Sequence, residues 1–151
     1  MSCIFPSEAM EVGALMPFDG DSFYKASLGE PLSCSIGAFH AQYHTSRKNY
    51  NHEMGIKRDG NLIIMGGCGP MGLGAVAYGI VCEYHPKRIV VTDVDDAKIE
   101  RAKEVIPPSY AAEHGIELIY ANTAKMDDAK QGLIDLTDGH GYDDVLIYVP
   151  I

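Results

Sequence analysis

Residues 67 to 72 read Gly67-Cys68-Gly69-Pro70-Met71-Gly72, a G-x-G-x-x-G spacing inside the apolar stretch IIMGGCGPMGLGAVAYGIV (63–81). The chemistry this spacing offers is the holding of a pyrophosphate. Gly67 is expected to permit a tight turn, Gly69 to let the backbone approach phosphate with no Cβ in the way, and Gly72 to let the next helix pack closely. The unpaired N–H groups and dipole of that helix would then meet the negative charge. A chain with 16 glycines can meet the pattern by chance, so the context has to decide. Here a strand-like run leads in, a helical run opens at Pro70, and an acid, Asp93, ends the next β-branched run about 20 residues beyond Gly72. That acid can accept hydrogen bonds from both hydroxyls of an adenosine ribose. It repels a 2′-phosphate, and Val94, Asp95 and Asp96 bring no cation to relieve the repulsion, so NAD is expected ahead of NADP. The expected cofactor contacts are Gly67, Gly69, Pro70, Met71, Gly72, Asp93 and Val94. Two rival readings are a turn whose glycines serve packing alone and an S-adenosylmethionine site, which has no pyrophosphate to cradle.

Other residues could do chemistry and are weighed against plainer roles. His40 and His44 stand four apart on an expected helix, a spacing that can hold zinc, but no Glu follows the first and no third ligand is evident. Cys34 has no partner base specified by the sequence and reads as a buried thiol. His140 belongs to a turn, and the pairs Asp127-Asp128 and Asp143-Asp144 sit at element starts, where capping and helix dipoles explain them. Cys3, Cys34, Cys68 and Cys82 show no zinc spacing and read as free thiols.

The elements that must position the turn follow from residue 61 onward. NLIIMG (61–66), KRIVVTD (87–93), IELIYA (116–121) and DDVLIYV (143–149) read as strands. Helices are predicted between them over 70–85, 95–106 and 127–137, with Asp95 as a cap and Pro107-Pro108 as a stop. This alternation predicts an α/β fold: a Rossmann-type parallel sheet of about four strands in the order 3-2-1-4, flanked by helices. The first 28 residues read as irregular, EPLSCSIGAFHAQYHTSRKN (30–49) as a helix starting after Pro31, and 52–60 as a charged loop. The domain reading is an irregular arm over 1–29, a connecting helix and loop over 30–60, and a partial dinucleotide-binding domain over 61–151.

Composition bounds the partners. With 46% hydrophobic and 22% charged residues, the chain is that of an ordinary globular domain. Its net charge of −9 argues against nucleic acid and against anionic membrane surfaces, leaving a small molecule as the expected ligand. Pro70 and the glycines interrupt the one long apolar run, so no membrane span is expected. Glu8 and Glu11 occupy the place of a signal peptide's basic region, and a cytoplasmic protein is expected.

EPLSCSIGAFHAQYH, NLIIMGGCGPMGLGAVAYGI and RIVVTDVDDAKIERAKEV together resemble the zinc-dependent medium-chain dehydrogenases, most of all their polyol branch, of the sorbitol dehydrogenase and sorbose-1-phosphate reductase type. The resemblance runs from about Glu30 to the end and more loosely into residues 1–29, which look like the tail of that family's catalytic domain. It implies hydride transfer between a nicotinamide cofactor and a secondary alcohol or ketone of a polyol or sugar phosphate, with Zn²⁺ as Lewis acid. In that branch the Glu of the E-P-L segment lies at the catalytic zinc, so Glu30 would inherit a metal-site role, against a plain helix-start carboxylate. The family's other zinc ligands would precede Met1, and two further strands would follow Ile151, so the chain looks like a fragment that does not catalyse the reaction alone. The alternative is a non-catalytic nucleotide-binding or assembly module, in which the open edge at DVLIYVP pairs with another chain. Either way a homo-oligomer is expected.

Overall fold

The computed structural model describes residues 4, 6–14, 17–45 and 52–149. Cys3 and residues 46–49 of the expected first helix lie outside the described residues. The chain divides into two compact units, Met1–Glu30 and Pro31–Ile151.

In the first unit the expected irregular arm contains two single-turn helices, α1 (Glu8–Glu11) and α2 (Phe23–Ala26). Neither buries a residue, and α2 is tied locally by the Lys25–Asp21 ion pair at 2.9 Å. A turn of helix with no face to bury depends on such local bonds.

Helix α3 (Gly29–Ala41) begins two residues before Pro31, which is tolerated because a first-turn N–H has no intrahelical acceptor. It also ends earlier than expected. The chain enters β1 (Tyr43–Thr45), which pairs antiparallel with β2 (His52–Met54) in a segment read as helix and charged loop. This hairpin escaped the pattern reading because three-residue strands, none of them buried, carry no hydrophobic alternation.

The parallel sheet follows the predicted order. Strands β3 (Asn61–Met65), β4 (Arg88–Asp93), β5 (Glu117–Asn122) and β6 (Asp144–Ile147) lie side by side as β5-β4-β3-β6. Helix α4 (Pro70–Val81) buries Gly72, Ala75, Val76, Gly79 and Ile80, a 3-4-3-4 stripe that turns one face to β3 and β4. It stops four residues short of the expectation. Helix α5 (Asp96–Val105), capped by Asp95 Oδ1 accepting from Ala97 N at 2.9 Å, packs on β4 and β5 through Ile99 and Ala102. Pro107-Pro108 ends α5 but also starts α6 (Pro108–Glu113), which the stop signal concealed: proline is equally at home in a first helical turn. Helix α7 (Ala129–Asp135) is shorter than predicted and is capped by Asp128, which accepts from Gln131 N at 3.0 Å. The core joins Leu62, Ile64, Val76, Ile80, Ile89 and Val91 with Phe39 of α3. Among the described residues no helix is long and apolar enough to cross a membrane.

Candidate functional site

The glycine turn lies where β3 gives way to α4. The left-handed residue is Gly66 (φ +67°), one position before the glycine expected to make the turn. Gly67 instead continues the pairing of β3 with β4 in the middle of the sheet: its N–H donates to Thr92 O at 3.0 Å, and a Cβ there would stand 2.7 Å from Val91 Cγ1 and 2.8 Å from Ile64 Cγ2. Gly72 serves closeness of another kind. A Cβ on it would meet Gly67 Cα at 2.4 Å, so the first turn of α4 sits directly on the turn's backbone. Gly79 continues this small face: a Cβ on it would stand 3.2 Å from Ile89 Cδ1 and from Phe39 Cζ. Gly69 differs from all of these, since a Cβ there would meet nothing within 4 Å. It borders open space, and the amides of Met71 and Gly72 beside it lack intrahelical acceptors.

That space is a cleft of about 450 Å³ lined by Gly66, Gly69, Pro70, Met71, Gly72, Tyr148 and Val149. Tyr148 and Val149 were not anticipated, although the predicted strand order contained the signal: the fourth strand neighbours the first, so its exit must face the turn. Tyr148 N donates to Met65 O at 2.8 Å, and its hydroxyl donates to Ser35 Oγ at 3.1 Å. Ser35, fully buried on α3, reaches Met71 O at 3.4 Å, so α3 braces the floor of the cleft.

Asp93 ends β4 and is 9% exposed. Its Oδ1 accepts from Val94 N at 2.8 Å and Asp95 N at 3.2 Å, while Oδ2 makes no hydrogen bond among the described residues. Val94, next to it, is 67% exposed. Inside the turn, burial and then the Asp93 charge push the Cys68 thiol up to about 11, so it stays protonated and unreactive at neutral pH.

The other candidates separate. His40 remains on α3, with Nε2 3.0 Å from the Tyr78 hydroxyl. His44 lies on β1, not on the helix, and its Nε2 shares a 3.0 Å hydrogen bond with Asp144 Oδ1. The histidines are thus no i, i+4 pair. Cys34 is exposed rather than buried, because helix α3 turns Ser35 and Phe39 inward instead. Glu30 occupies the first turn of α3. His140 is exposed in the turn before β6, as expected. Asp143 and Asp144 do more than cap a strand. Asp143 Oδ2 accepts from Asn61 N at 2.9 Å and its Oδ1 pairs with Lys57 Nζ at 2.5 Å, while Asp144 Oδ2 accepts from Lys57 N at 2.8 Å. Burial alone would raise the Asp143 carboxyl, but Lys57 and the Asn61 amide bring it below the ordinary range. Among the described residues no group of three or more His, Cys, Asp or Glu could hold a metal ion.

No family model matches the chain. It is 49% identical over 98% of its length to mannitol-1-phosphate 5-dehydrogenase of Aliivibrio fischeri, and 39% identical over 97% to L-sorbose 1-phosphate reductase of Klebsiella pneumoniae. It spans only 35% and 34% of those relatives' lengths. Among solved structures, 2R,3R-butanediol dehydrogenase of Bacillus subtilis aligns over 86% of the chain and 30% of its own with a TM-score of 0.57 and 18% identity. Galactitol-1-phosphate dehydrogenase of Escherichia coli aligns over 89% of the chain and 31% of its own with a TM-score of 0.55 and 20% identity. At these identities the two structures support the shared fold.

Proposed function

We propose, from the premise that this chain belongs with the polyol branch of the medium-chain dehydrogenases, that it binds NAD in the cleft between the glycine turn and Tyr148. The observation that supports the reading is the contrast among the glycines of the turn: Gly66, Gly67 and Gly72 are closely surrounded by the protein itself, whereas Gly69 has nothing within 4 Å of a Cβ and borders the cleft at the N-terminus of α4.

The residues fit a dinucleotide. A pyrophosphate at Gly69 would meet the amides of Met71 and Gly72 at the positive end of the α4 dipole. Asp93, with Oδ1 fixed by two backbone amides, has Oδ2 to offer to a ribose diol. A carboxylate there disfavours a 2′-phosphate, so NAD is proposed over NADP. Bound nicotinamide would accept or deliver hydride at a secondary alcohol or ketone, with a polyol or sugar phosphate as the substrate class. What this chain's residues do is bind and orient: Pro70 and Met71 form one wall, Tyr148 and Val149 the other.

Zinc is different. The described residues offer no cluster of three or more His, Cys, Asp or Glu that could hold it. Glu30 is proposed as a contributor to a metal site whose remaining ligands come from outside these residues. The chain by itself is proposed to bind cofactor without catalysing the transfer. Titration with NADH and NADPH tests the reading: tighter binding of NADH supports it, and no binding of either up to millimolar concentration would sink it.

A second reading has its own observation. Among the described residues strand β6 pairs only with β3, and Val145 and Ile147 stand 46% and 63% exposed along it. Such an edge invites strand addition by a second copy. Light scattering checks this, and a monodisperse monomer counts against it.

A further inference from the structure

Strands β4 and β5 end side by side, with Asp93 in register with Asn122. The Asn122 side chain is used at both ends. Its Nδ2 donates to Asp96 Oδ1 at 2.8 Å and reaches Val94 O at 3.4 Å, while its Oδ1 accepts from Ala124 N at 2.9 Å. Asp96 is the first residue of α5, and its other carboxylate oxygen lies 2.6 Å from Lys125 Nζ. One side chain therefore joins three pieces: the end of β5, the 3-10 turn Thr123–Lys125, and the loop 94–96. The last of these supplies the two amides that hold Asp93 Oδ1.

We propose that Asn122 is a positioning residue for the adenosine-ribose subsite: by clamping Val94 and Asp96 it fixes the loop that orients the Asp93 carboxylate toward a vicinal diol. The inference rests on the cofactor reading above. The plainer role for Asn122 is an Asx turn that caps the 3-10 turn, and the bond from Ala124 N alone would satisfy it. The Nδ2 half has no part in that turn. It crosses to the loop of a neighbouring strand, where a carboxylate held in advance spares a ligand the ordering cost on binding.

Asn122→Ser separates the two halves. A serine hydroxyl can still accept from the amide two residues on but is too short to reach Asp96 or Val94. In the 151-residue chain we expect N122S to weaken NADH binding about tenfold, with little change in melting temperature. Hydrogen exchange of the Val94 and Asp95 amides, read by NMR, should quicken. In an Asp93→Ala background the same substitution should change affinity less than about twofold, because nothing is left to orient. Asp96→Ala, which removes the clamp's far anchor and leaves the Ala124 bond alone, should loosen the same two amides and keeps the test available if N122S folds poorly. Equal losses with and without Asp93, wild-type NADH affinity in N122S, or unchanged amide exchange in Asp96→Ala would overturn the role of Asn122 while leaving the cofactor site standing. Absence of NADH binding to the wild-type chain would overturn both.

Discussion

The two ends of the parallel sheet are built on opposite plans. Where the strands begin, charge is consumed by the chain itself: Lys57 pairs with Asp143, His44 and the Lys57 amide with Asp144, and Arg88 bridges Glu117 at 2.6 Å and Asp138 at 3.0 Å. Where they finish, the backbone is glycine, the walls of the cleft are apolar, and Asp93 keeps one oxygen without a partner among the described residues. Both ends carry aspartates at strand boundaries. The difference is that, among the described residues, neighbouring amides and cations use both oxygens of Asp143 and Asp144 but only one of Asp93. This sheet stabilises one end and leaves the other available, which agrees with the rule that open α/β sheets bind ligands beyond the carboxyl ends of their strands.

The sharpest break of this contrast is Gly72→Ala. Its Cβ would press on the Gly67 backbone, so we expect a stability loss of about 1–3 kcal/mol in denaturant melts together with loss of NADH binding. Gly69→Ala should separate the two effects: with nothing within 4 Å of the new Cβ the melting curve should hold, while NADH affinity drops about tenfold or more by titration. Preserved affinity would show that Gly69 does not face the ligand.

At the other end Asp144→Ala should do the reverse. It leaves the Lys57 amide and the His44 ring without their acceptor, costing about 1–3 kcal/mol, with NADH binding unchanged. A smaller effect concerns pH. The folded-state pKa of Asp143 is lowered, so its contribution is present above the ordinary carboxylate range and is lost as pH falls through the folded value. The gap in melting temperature between wild type and Asp143→Asn should therefore close on acidification; a gap that persists would mean Lys57 does not favour the ionised form. Least perturbing is thiol labelling at neutral pH: exposed Cys34 should react well before Cys68, whose thiol is buried under the turn.

Much of the candidate site's local geometry was legible in the sequence because its spacing is local. A strand, a glycine turn and a helix are contiguous, and Asp93 follows at one βαβ length, so pattern and position coincide. The division of labour among the glycines was not legible: Gly66 takes the positive φ, and Gly67 serves packing. Those roles depend on Val91, Ile64 and Val149, which lie on three different strands or their ends. The partners of Asp143 and Asp144 were illegible for the same reason, since they lie more than 80 residues away in sequence.

By itself, then, the sequence determined the βα alternation, the parallel strand order and the glycine–acid spacing, because apolar periodicity and turn chemistry act over a few residues. Only the tertiary structure decided which glycine borders open space, that Tyr148 and Val149 close the cleft, and that Asn122 reaches Asp96. Each of these is a contact between segments brought together by the sheet, and its distance is set by packing rather than by the order of residues along the chain.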